Sequence, residues 1–142
     1  MKGISLATAF GLLLGATCTQ EADMGRVRLT SPDSSGAISA LYNGQPLGSF
    51  RRMRSEGELR VTMNNDATWL VVEEGVNADS YPTVRVFRIA PGRLVESQDA
   101  VAIREKLYST ATPGPPELVF LGFDSGGAPL VNAGGETYKL QR

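Results

Sequence analysis

The chain has 142 residues, a formal net charge of −1, no histidine and a single cysteine. So small a net charge gives no reason to expect a nucleic acid or an anionic membrane surface as partner. Without histidine, Ser-His-Asp catalysis, Cys-His catalysis and His-ligated zinc are excluded by residue type; one cysteine leaves no internal disulfide or thiolate cluster, and nothing calls for a cofactor or a metal.

The first stretch, "MKGISLATAFGLLLGATC", has a basic start at Lys2, an apolar run from Ile4 to Leu14, and then small residues. This is the layout of a secretory signal, and the run is too short for a membrane-spanning helix. The residues before Cys18 are Leu14, Gly15, Ala16 and Thr17. That ending resembles the bacterial lipoprotein signal, in which Leu-Ala-Gly-Cys or a near variant closes the apolar run. The resemblance implies that Cys18 is acylated and that the membrane is a partner through the lipid, each buried methylene contributing about 0.8 kcal/mol. The alternative is ordinary cleavage after Cys18, which discards it. The expected organisation is an export signal over 1–18, a polar tether over 19–25 and a single mainly-β domain over 26–142. Such a domain is long enough to bury about two-thirds of its unfolded surface.

From Arg26 onward the pattern is strand-like. "RVRLT" alternates before the turn formers of "SPDSSG", and "AISALYNGQPLGSF" offers two strands around Asn43-Gly44, a strong hairpin signal. "ELRVTM" places Leu59, Val61 and Met63 on one face, "NNDA" turns the chain, and "TWLVVEEG" reads as a β-rich strand. "TVRVFRIA" alternates, with Arg85 and Arg88 marking it as half-exposed; Pro91-Gly92 ends it, and "RLVES" is short. "SQDAVAIREKLYS" predicts a helix near 97–109, with Ser97 as N-cap, Asp99 in the first turn, Lys106 near the end, and a stripe of Val101, Ile103 and Leu107. "LVFLGF", "APLVNAGG" and "ETYKLQR" complete the chain as short strands after a Pro/Gly loop. The fold class expected is mainly β, one small antiparallel sheet, meander or sandwich with a single helix.

Three places share a look: "SPDSSGAISALYNG", "NNDATWLVVEEG" and "FDSGGAPLVNAGG". In each an aspartate (Asp33, Asp66, Asp124) opens a turn that leads to an apolar strand and a glycine. This resembles the Ser-Pro-Asp-Gly turn and following strand of the WD40-like repeats in bacterial β-propellers. An aspartate that accepts amides from its own turn serves any antiparallel protein equally well.

Candidate sites are sparse. A carboxylate hydrolase would need two of Asp33, Asp66, Asp124, Glu73 and Glu74 to converge, since paired carboxylates hydrolyse glycosides without histidine. The basic patch "FRRMRSEGELR" contributes Arg51, Arg52 and Arg54 as candidates for anion docking, with a solvated strand edge as the simpler reading. Trp69 is a candidate stacking surface or a packed core residue. The leading reading is a non-catalytic binding or accessory module of the bacterial envelope. It would sit at the outer membrane or its periplasmic face if lipidated, and be periplasmic or secreted otherwise, with an envelope protein as a possible partner. A β-rich subunit of a larger envelope assembly is the further alternative to the hydrolase.

Overall fold

A computed structural model describes residues 27–109 and 118–142. The expected signal, the tether and Cys18 lie outside the described residues. Within them the chain runs through β1 (Val27–Leu29), β2 (Ala37–Tyr42), β3 (Gln45–Arg51), β4 (Glu58–Met63), β5 (Trp69–Val76), β6 (Thr83–Ala90) and β7 (Arg93–Glu96). The helix α1 (Gln98–Ser109) follows, then β8 (Leu118–Phe123), β9 (Pro129–Ala133) and β10 (Glu136–Lys139).

Every ladder is antiparallel and joins strands that are neighbours in sequence, giving three meanders: β1-β2-β3, β4-β5-β6-β7 and β8-β9-β10. The mainly-β class with one helix therefore holds, in the form of three small sheets. The Asn43-Gly44 hairpin forms as its sequence predicts, with φ of 53° and 81° at the two turn residues, the positive pair that a two-residue connection requires.

The second sheet is the middle layer. One of its faces, with Trp69, Val71, Val84 and Val86, packs with Ala100, Leu118, Val131, Ala133 and Leu140 from the helix and the C-terminal part of the chain. The other, with Leu70, Val72 and Phe87, packs with Ile38, Ala40 and Phe50 of the first sheet. This explains the unbroken "WLVV" run: a strand covered on both sides has no solvent face to mark with polar residues. Leu59, Val61 and Met63 line the same side of β4 as expected, against the first-sheet cluster. At Gly48, φ is +146° and an added Cβ would lie 2.6 Å from the Leu94 nitrogen, so β3 passes β7 backbone to backbone. Only glycine fits there.

Two expectations change. Arg85 does not mark a half-exposed strand; it is buried, for the reason given below. The helical stripe is Ala100, Ile103 and Leu107 rather than one through Val101. Ser97 does cap the helix, its Oγ accepting the Ala100 amide at 3.1 Å.

The three turns share one geometry. Asp33 Oδ1 accepts the amides of Ser35 (2.8 Å) and Ala37 (3.0 Å), and Asp124 Oδ1 accepts those of Gly126 and Ala128 (both 2.9 Å). In the middle copy the opener is Asn64, not Asp66: Asn64 Oδ1 accepts the amides of Thr68 (2.9 Å) and Trp69 (3.0 Å). The fourth turn residue is left-handed in all three, at Gly36, Ala67 and Gly127. Asn64 Nδ2 also donates to the Gly127 carbonyl (2.8 Å), tying the second turn to the third.

Candidate functional site

The basic patch is the β3–β4 connection, and it wraps a buried charge. Glu74 is fully buried on β5. Its Oε1 accepts the amides of Met53 (2.8 Å) and Arg54 (2.9 Å), and its Oε2 pairs with Arg85 Nη1 at 3.1 Å. Arg85 continues to the Arg51 carbonyl (2.6 Å) and to Glu96 (Nη2–Oε1, 3.3 Å), and lies 5.0 Å from the centroid of the Phe87 ring. Arg104 on α1 closes the series at 3.8 Å from Glu96. Signs alternate along Glu74, Arg85, Glu96 and Arg104, so no charge in the row is left without an opposite neighbour, the condition for keeping charges out of water.

Two arginines of the patch, Arg52 and Arg54, are held by partners within the fold. Arg54 donates to Ser80 Oγ (2.7 Å), to the Tyr81 carbonyl and to Glu56 Oε2 (3.0 Å). Its guanidinium lies against the backbone of Gly75, where an added Cβ would sit 2.5 Å from Cζ. Arg52 Nη2 donates to the carbonyls of Glu56 and Gly57 (3.1 and 3.2 Å). Arg51 contributes its carbonyl to Arg85, and the residue itself is exposed. Trp69 belongs to the core, and the Arg88 guanidinium covers its ring at 5.3 Å, which leaves no open stacking face.

Each of the five carboxylates considered for catalysis has a role of its own in the fold. Asp33 and Asp124 bind their own turns; Asp66 accepts the Thr68 hydroxyl (2.7 Å); Glu73 pairs with Arg60 (2.9 Å); Glu74 is buried. The Asp33 carboxyl is held below its ordinary range by the Ser35 hydroxyl foremost and then by turn amides. Asp124 is lowered in the same way by the Ala128 amide and then by Lys139. Acceptor roles in turns stabilise the anion, which is the opposite of what a proton donor needs. Among the described residues no group of three or more acidic, His or Cys side chains is placed to hold a metal ion.

What the strap and the helix do create is a cleft. A hollow of about 490 Å³ opens between the β5–β6 loop and α1, within the size range of small-ligand sites. Val84, Leu107 and Leu118 supply apolar lining, Arg54 and Arg104 form polar wall, and Tyr81 and Tyr108 stand at 55% and 65% exposure. Tyr81 and Tyr108 are scattered in the sequence, where they form no aromatic stripe, and they come to line one cleft through the packing of the helix. No protein-family model matches the chain, and no curated protein or solved structure matches it either. Among the described residues no helix is long and apolar enough to cross a membrane.

Proposed function

We propose that this is an exported, lipid-anchored protein of the bacterial envelope whose mainly-β domain is a non-catalytic binding module. The observation that carries the binding reading is the cleft beside α1, where two exposed tyrosines border an apolar floor with polar groups beside them. Each of the five candidate carboxylates already serves a turn, an ion pair or the buried charge row, which favours the binding reading over the hydrolase alternative. The anchor reading rests on the N-terminal sequence, with Cys18 as the acylated residue and the polar segment after it as spacer.

The test of the anchor is the intact mass of the mature protein from fractionated bacteria. A membrane-bound species matching residues 18–142 plus diacylglycerol and an N-acyl chain is the expected result, and Cys18→Ala should abolish the acylated species. Unmodified 19–142 in the soluble fraction would sink the anchor and leave a free periplasmic or secreted module.

A second reading, a subunit of a larger envelope assembly, is favoured by Val119 and Leu121, which stand exposed on β8. Photo-crosslinking from position 121 in cells distinguishes it: a discrete adduct with one envelope protein supports assembly, and none removes it.

A further inference from the structure

The cleft has a composition that selects among ligands. Its two arginines are each matched by a glutamate: Arg54 by Glu56 at 3.0 Å and Arg104 by Glu96 at 3.8 Å. They therefore present little uncompensated charge to an anion. Asp79, on the same wall, makes no hydrogen bond or ion pair among the described residues and so stands as an acceptor. Arg104 uses Nη2 on the Val84 carbonyl (2.9 Å), and its Nη1 and Nε make no hydrogen bond among the described residues. The Ser80 hydroxyl accepts from Arg54, which leaves its proton free to donate.

The cleft thus offers an open acceptor, Asp79, and open donors on Arg104 and Ser80, in a lining that also includes two exposed tyrosines. A group that both donates and accepts, repeated along a neutral body with C–H faces, answers all of these together; that group is the hydroxyl of a sugar. Ring faces of tyrosine suit the apolar faces of pyranoses, being rigid, amphipathic and inexpensive in conformational entropy. We infer that the cleft between the β5–β6 loop and α1 binds a neutral oligosaccharide, with Tyr81 and Tyr108 packing on sugar rings and Asp79 and Arg104 bonding to their hydroxyls. This rests on the binding-module reading and is independent of the lipid anchor.

The experiment titrates the purified mature protein, in detergent if acylated, with cellotetraose, maltotetraose and chitotetraose up to about 10 mM, a range that registers weak single-site binding. Backbone amide NMR shifts are the readout. The expected result is a saturable change confined to residues 79–83 and 104–108 with at least one of the three. Tyr81→Ala and Tyr108→Ala, both exposed and so without cost to the core, should each weaken it about tenfold. Leu121→Ala, on another strand, should leave it unchanged. Shifts at these amides from trilysine or an oligogalacturonate, with none from the neutral sugars, would overturn the sugar assignment while leaving the binding module standing. Shifts that persist undiminished in both tyrosine variants would overturn it as well. No response to any of the probes would overturn it and remove the cleft as the module's site, with the anchor still judged by its own mass measurement.

Discussion

The two faces of the middle sheet are built on different principles. Toward α1 and the third sheet it presents Trp69, Val71, Val84 and Val86, side chains that hold together by area and fit. Toward the first sheet, apolar Leu70, Val72 and Phe87 share the strands with Glu74 and Arg85, whose partners are specified atom by atom. An apolar face tolerates small rearrangement, because dispersion and the hydrophobic effect have no preferred direction. A buried ion pair does not, since a displaced partner leaves an uncompensated charge. The difference tells what each face is for. The first fills volume; the second fixes the path of the β3–β4 strap and, through Glu96 and Arg104, the seat of the helix beside the cleft.

The sharpest way to break that contrast is Glu74→Ala. It strips Arg85 of its buried partner and leaves two strap amides without an acceptor, so we expect a loss of about 3–5 kcal/mol in urea unfolding. Arg85→Ala combined with it should cost less than the two single variants summed, with a coupling of about 1–3 kcal/mol in a double-mutant cycle. Additive losses would mean that the pair does not act as a unit.

On the apolar face, Val86→Ala should cost about 2 kcal/mol, from two buried methyl groups and an incompletely collapsed cavity. The unfolding transition should stay cooperative with the same denaturant slope. A loss as large as that of Glu74→Ala would erase the distinction between the faces.

The smallest effect separates the buried carboxylate from those that accept amides in turns and from the C-terminal segment. Asp99 is lowered by the Gln141 amide foremost, and Asp33 and Asp124 are lowered by their own turns. A carboxyl with a lower pKa folded than unfolded stabilises the fold above its unfolded value, near 3.8, and loses that contribution as pH falls through the folded value. Stability should therefore decline below about pH 4, and Asp99→Asn should flatten the decline when urea midpoints are measured against pH. An unchanged slope would show that these acceptors do not govern acid stability.

Much of the scaffold is legible in the sequence because its signals are local. Asn43-Gly44 declares its hairpin, Ser97 its cap, and alternation marks most strands, each from residues that touch their neighbours in the chain. The turn repeat was legible in kind but not in register. Aspartate and asparagine accept amides alike, so "NNDA" held two candidates for the opener, and the structure uses Asn64 rather than Asp66. Alternation equates a charged residue with solvent, whereas Arg85 meets carboxylates from β5 and β7. The cleft was not legible at all. Arg104 and Tyr108 are four apart on one helix, but nothing in the sequence ties them to Tyr81, and what unites the three is the packing of a helix on a sheet.

One feature of the topology bears on how the chain acquires its shape. Every ladder connects consecutive strands, so no strand waits for a distant partner, and loop closure for pairing is short throughout. Each meander can zip as soon as its own residues are free, in the order in which they emerge. The row from Glu74 to Arg104 spans the second sheet and the helix, and it closes only once both are present. Pairing as local as this is expected to precede the docking of sheet and helix that brings the opposite charges into register and shapes the cleft.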